Sequence, residues 1–174
     1  MFSAIRKLFT PDPEPREARR PLWNAVVATA RAPHWYVDGQ VPDTLDGRFD
    51  MISLVLALVL HRIDEAPDQA LAGVELTELF VVDMDGQMRQ IGFGDMVVGK
   101  QIGRMVGALG GRLGAYRAAD GSEELKAALV RNLWRGKDAP AAGLAHVIAE
   151  VAKLRAGLAA IPVETLVVAD RLPG

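Results

Sequence analysis

The chain has 174 residues, half of them hydrophobic, and a formal net charge of −2. That is enough apolar material for one sizeable core, and it leaves no overall positive field to recruit nucleic acid. There is no cysteine, which excludes a disulfide framework, a thiol nucleophile and cysteine-ligated zinc or iron–sulfur, and fits a reducing cytoplasm.

Residues 1–20 read as a tail. Phe2, Ile5, Leu8 and Phe9 fall at helical spacing, with Arg6 and Lys7 between them, before Pro11, Pro13 and Pro15 interrupt any helix. Such a segment is either a flexible terminus or a short amphipathic contact with a membrane surface or a partner. It has no apolar stretch or small-residue cleavage site of a secretory signal. The expected domain therefore begins at residue 21.

Pro21 suits the first turn of a helix over residues 21–32, which Pro33 stops. Residues 34–44 read as an irregular loop carrying Trp35 and Tyr36. Asp43 or Thr44 then caps a second helix running to about residue 64, with Asp46 and Asp50 near its positive end. Its run from Met51 to Leu60 is too short to span a bilayer, which needs roughly 20 apolar residues, so a buried helix of a soluble protein is expected.

A third helix is expected over residues 67–84, ended or kinked by Asp85–Gly86. After the break at Gly92-Phe93-Gly94, Asp95 is expected to cap a long helix to about Tyr116, with Ile102, Met105, Val106, Leu109, Leu113 and Tyr116 as its apolar stripe. Asp120 and Glu123 resemble a capping box for the next helix, ending near Gly136. A last long helix spans about residues 140–160, and residues 163–168 are ambiguous between helix and strand. The expectation is an all-α protein of about six helices, about two-thirds helical.

Catalytic motifs are weak. Gly94 to Lys100 imitates a phosphate loop, but Gln101 replaces the required hydroxyl and no convincing strand precedes it. Asp83-Met84-Asp85-Gly86 lacks the third acid and the closing glutamate of a calcium loop. His34, His61 and His146 are dispersed, without an i, i+4 partner. Ser3, Ser53 and Ser122 lie outside any nucleophile elbow. No metal, cofactor or catalytic residue is assigned.

The most unusual pattern is Gly99, Gly103, Gly107 and Gly111, every fourth residue of one helix, followed by Ala115. Each interior glycine costs about 1 kcal/mol relative to alanine, so something should offset four of them. Either the helix packs tightly inside the domain, or a groove is kept open for a partner's helix. Lys100, Arg104 and Arg112 flank the stripe, as a solvated face or as a match for acidic groups or anionic lipid. Trp35 and Tyr36 either anchor an interface or plug the core.

The segments Ala30-Arg31-Ala32-Pro33 with Trp35-Tyr36, Val41-Pro42-Asp43-Thr44 with Asp46-Gly47-Arg48-Phe49-Asp50-Met51, Asp83-Met84-Asp85, and Gly92-x-Gly94-Asp95-x-x-Val98-Gly99-Lys100, followed by Gly111-Arg112 and Tyr116, stand in this order. In that order the chain resembles the ubiquinol–cytochrome c chaperone family. The resemblance implies a helical assembly chaperone, not an enzyme, that binds newly made cytochrome b while ubiquinol–cytochrome c reductase is built, with a small second assembly factor as a further partner. The tail carries acids beside its arginines, unlike a transit peptide, so a bacterial form working in the cytoplasm against the inner membrane is expected. On that reading Gly99, Lys100, Gly103, Arg104, Gly107 and Arg112 are the first candidates for partner binding. Trp35, Tyr36, Asp46, Arg48 and Asp50 come second, with Arg48 alternatively bracing its loop through Asp43 or Asp83. The competing expectation is a lipid or haem carrier, or an enzyme, using a pocket between helices.

Overall fold

The structure, a computed structural model, describes residues 15–119 and 121–174. A 3-10 turn at Pro15–Arg19 leads into α1 (Arg20–Ala30). Next come α2 (His34–Val37), α3 (Leu45–Asp64) and α4 (Ala70–Gln90), the last entered through a 3-10 turn at Pro67–Gln69. Then follow α5 (Asp95–Ala118), α6 (Ser122–Leu133), α7 (Ala141–Ala160) and α8 (Val163–Leu166). The protein is all-α, and six of these helices exceed ten residues.

The centre is α3. Every residue from Asp50 to Leu60 is buried, and α1, α4, α5, α6 and α7 all touch this helix. A helix apolar on every side has to be enclosed in this way, and each enclosed Leu, Val, Ile or Met contributes about 1.5–3 kcal/mol relative to exposure. Its start is fixed locally. The Thr44 hydroxyl accepts from the Gly47 amide at 3.0 Å, satisfying one of the orphan donors of the first turn. A Cβ at Gly47 would fall 1.9 Å from the Pro42 carbonyl oxygen. Only glycine fits beneath the chain at that turn.

The structure differs from the sequence expectation at four places. First, α4 runs straight through Asp85–Gly86. Met84 and Met88 bury one face of that stretch, and Arg89 clamps Asp85 one turn back at 2.6 Å, which overrides the turn signal. Second, Gly94 in extended conformation, not Asp95, caps α5, and Asp95 is its first residue. Third, residues 34–37 form a helical turn instead of loop. Fourth, residues 15–19 of the expected tail are a 3-10 turn resting on α4, with Arg19 bonded to Glu75 at 2.9 Å. Residues 1–14 and Asp120, the expected partner of Glu123, lie outside the described residues. The ambiguous segment 163–168 begins as the short helix α8.

Candidate functional site

The walls of the candidate site come from segments far apart in sequence. A cleft of about 790 Å³ opens between the first turns of α3, the end of α4, one flank of α5 and the end of α6. Its apolar lining comprises Leu45, Phe49, Ile52, Met84, Met88, Ile91, Phe93, Met105 and Ala108. Three of the chain's six methionines, two from α4 and one from α5, therefore line it, and unbranched, polarisable side chains adapt to varied apolar shapes. Leu45, Ile91 and Phe93 remain 57%, 53% and 39% exposed at the mouth, a large apolar exposure for one small area.

The rim is basic. Arg31, Arg48, Arg104, Arg112, Arg131 and Arg135 line the cleft against one lining carboxylate, Asp46. Beneath them lies Asp50, 1% exposed, which binds Arg112 at 2.5 Å and Arg135 at 3.4 Å. Arg135 also reaches Asp46 at 3.2 Å. Burial pushes the Asp50 carboxyl above its ordinary value, and the two guanidiniums pull the other way. The Arg112 guanidinium lies 5.0 Å from the centroid of the Phe49 ring, close enough for a cation–π contact. A buried carboxylate thus fixes a cation and an aromatic ring at the foot of an apolar groove.

Arg104 and Arg112 stand in this cleft, and Asp46, Arg48 and Asp50 form its α3 wall and support. Arg48 also pairs with Asp43 at 2.7 Å, the bracing role considered for it. Gly99, Gly103, Gly107 and Gly111 face outward instead, and a Cβ at any of them would meet nothing within 4 Å. Tight packing against another described element is therefore not what these glycines serve. Lys100 is exposed and lies outside the cleft lining.

Trp35 is in the core, 2% exposed, and donates to the Thr29 carbonyl at 2.8 Å. Tyr36 donates to the Ala30 carbonyl at 2.9 Å. Both donate to carbonyls in the last turn of α1, where the Thr29 carbonyl also accepts from the Ala32 amide at 3.2 Å. The expected stripe of α5 is only partly enclosed. Leu109 and Tyr116 are buried, whereas Ile102, Met105 and Leu113 are half-buried and Val106 is exposed. Burial pushes the Tyr116 hydroxyl up to about 12.

Sequence reasoning missed Arg131, Arg135 and the methionines. Arg131 in the last turn of α6 and Arg135 just beyond its end stand four apart, the one available signal, and look there like ordinary helix-end cations. His34 and His146 contact each other at 3.0 Å, and His61 meets the Leu113 carbonyl at 2.9 Å. None of the three lines this cleft. Among the described residues, no group of three or more His, Asp or Glu could hold a metal ion. No helix among them is long and apolar enough to cross a membrane.

A family model described as "Ubiquinol-cytochrome C chaperone" matches residues 37–171. Among solved structures, the chain is similar to the crystal structure of the Cbp3 homolog from Brucella abortus. The two are 32% identical with a TM-score of 0.78, and the match covers 91% of each chain. No curated protein sequence matches the chain.

Proposed function

Because the chain belongs to the ubiquinol–cytochrome c chaperone family, we propose that it holds newly made cytochrome b in the basic-edged cleft until the reductase is assembled. The observation that carries this reading is the cleft itself. It is an apolar groove lined by pliable Met84, Met88 and Met105 together with six arginines. Covering apolar client surface there removes it from water at about 25 cal/mol per Å², and the charged rim keeps the unloaded groove soluble and selects its register. Holding needs no nucleophile, metal or cofactor.

The work is placed on the cytoplasmic side of the inner membrane, where a membrane subunit emerges. A small second assembly factor and a peripheral contact with the membrane surface are further expected partners. The outward glycine face of α5, with Lys100 beside it, is open for the former.

The test is cross-linked co-purification of the full chain from its native cells, with membrane subunits identified by mass spectrometry. Cytochrome b is expected with the wild type and is reduced with Phe93→Asp, a half-exposed residue at the mouth whose replacement leaves the core intact. Normal levels of cytochrome b and assembled reductase in cells lacking the protein would overturn the proposal.

A further inference from the structure

The cleft combines two chemistries that an apolar groove alone does not require. Arg112 is 12% exposed; Asp50 holds its Nη2, while Nε and Nη1 are shut off from solvent with no hydrogen-bond partner among the described residues. Those two donors are closed to an incoming ligand, so Arg112 serves as a fixed charge against the Phe49 ring while the exposed arginines around it remain available. Around the same cleft, no carboxylate among the described residues lies within 4 Å of Arg31, Arg104 or Arg131 by any ion pair the structure contains. The single lining carboxylate, Asp46, is already engaged by Arg135.

We infer that the cleft recognises a carboxylate carried on the apolar face of an amphipathic helical segment, with Arg104 and Arg131 meeting the acid and the Asp50–Arg112–Phe49 unit fixing the electropositive floor. This rests on the reading of the cleft as the client site and adds the class of segment it takes. The charges select the occupant. A purely apolar helix would bury or crowd arginines without compensation, whereas an acid set among leucines and phenylalanines matches both halves of the lining. Guanidinium–carboxylate pairing adds orientation through its fork geometry. The recess favours a peptide over a lipid surface. A bilayer presents its anions in one plane, whereas here Arg112, 12% exposed, and the arginines around it share one cleft with Phe49, Ile52, Met84, Met88 and Met105, a mixed lining that suits an acid carried on an apolar side-chain face.

The test uses the full chain and two fluorescent synthetic amphipathic helices, identical except for one glutamate or glutamine amid a leucine- and phenylalanine-bearing face. Fluorescence anisotropy at low salt is expected to show the glutamate peptide binding about tenfold more tightly, with the preference shrinking as salt rises. The double variant Arg104→Gln/Arg131→Gln should lose the preference and melt at the wild-type temperature, since both side chains are exposed.

Equal binding of the two peptides would overturn carboxylate recognition while leaving capture in the cleft standing; binding of neither would overturn both. A preference that survives the double variant removes it from these arginines and overturns the assignment. Phosphatidylglycerol vesicles, or inorganic phosphate alone, displacing the glutamate peptide as effectively as its unlabelled copy would identify a headgroup or free-anion site and also overturn it.

Discussion

Replacing Asp50 by alanine is expected to cost about 3–5 kcal/mol, because it leaves the guanidinium of Arg112 buried without its counter-charge. Arg135→Ala, at a side chain 52% exposed, should cost under about 1 kcal/mol. Urea unfolding of the two variants reads the contrast, and similar losses would show that Asp50 is not the anchor of the cluster. The histidines give a pH signature of their own. Burial holds both His34 and His61 below their ordinary value of 6.5. Around His34 stand His146, Glu150, Asp38 and Lys153; around His61 stand the Leu113 carbonyl, Arg117, Arg155 and Asp64. A lowered folded value means the unfolded chain takes up the proton first. Their contribution is therefore complete above about pH 6.5 and declines as the pH falls below it, by at most about 1.4 kcal/mol per pH unit per histidine. Thermal melts between pH 7.5 and 5.5 should show a shallower decline for His61→Gln than for the wild type. Parallel curves would remove His61 from the effect.

At the scale of the helix, the glycines divide into two kinds that look alike in sequence. Gly103 and Gly107 sit in the interior of α5 with open space where a Cβ would stand. Gly103→Ala and Gly107→Ala are therefore expected to stabilise by up to about 1 kcal/mol each, and Gly103→Leu should leave the melting temperature near that of the wild type. Gly143→Ala should instead destabilise by about 1–3 kcal/mol, since its Cβ would lie 2.4 Å from the Gly39 carbonyl oxygen, with Gly47→Ala also destabilising. Calorimetry of the four alanine variants separates the two kinds.

The long helices were legible because their apolar periods are strong, and α3 and α7 end within two residues of the sequence expectation. The run through Asp85–Gly86 was not, because Met84, Met88 and the Arg89–Asp85 pair act only once the helix exists. The site was half legible. Asp46, Arg48, Asp50, Arg104 and Arg112 stand in or beneath the cleft, whereas Trp35 and Tyr36 donate to carbonyls at the end of α1. Arg31, Met84, Phe93 and the Arg131/Arg135 pair come together only by folding, and no local pattern connects these separate segments.

On the scale of the whole molecule, α3 ties the parts together. The chaperone reading asks the domain to stay folded while one face takes and releases greasy polypeptide, and a central helix clasped by five others supplies that rigidity. The cleft sits at the N-terminal end of α3, away from the Arg62 contacts with the Leu158 and Ile161 carbonyls that tie its other end to the close of α7. The order of the helices along the chain has a consequence for biosynthesis. The apolar run of α3 is made early, yet one of its covering helices, α7, ends only at residue 160. During its own translation this protector of another polypeptide spends about a hundred residues of elongation with its greasiest segment incompletely wrapped, and so passes through the same hazard from which it is proposed to shield its client.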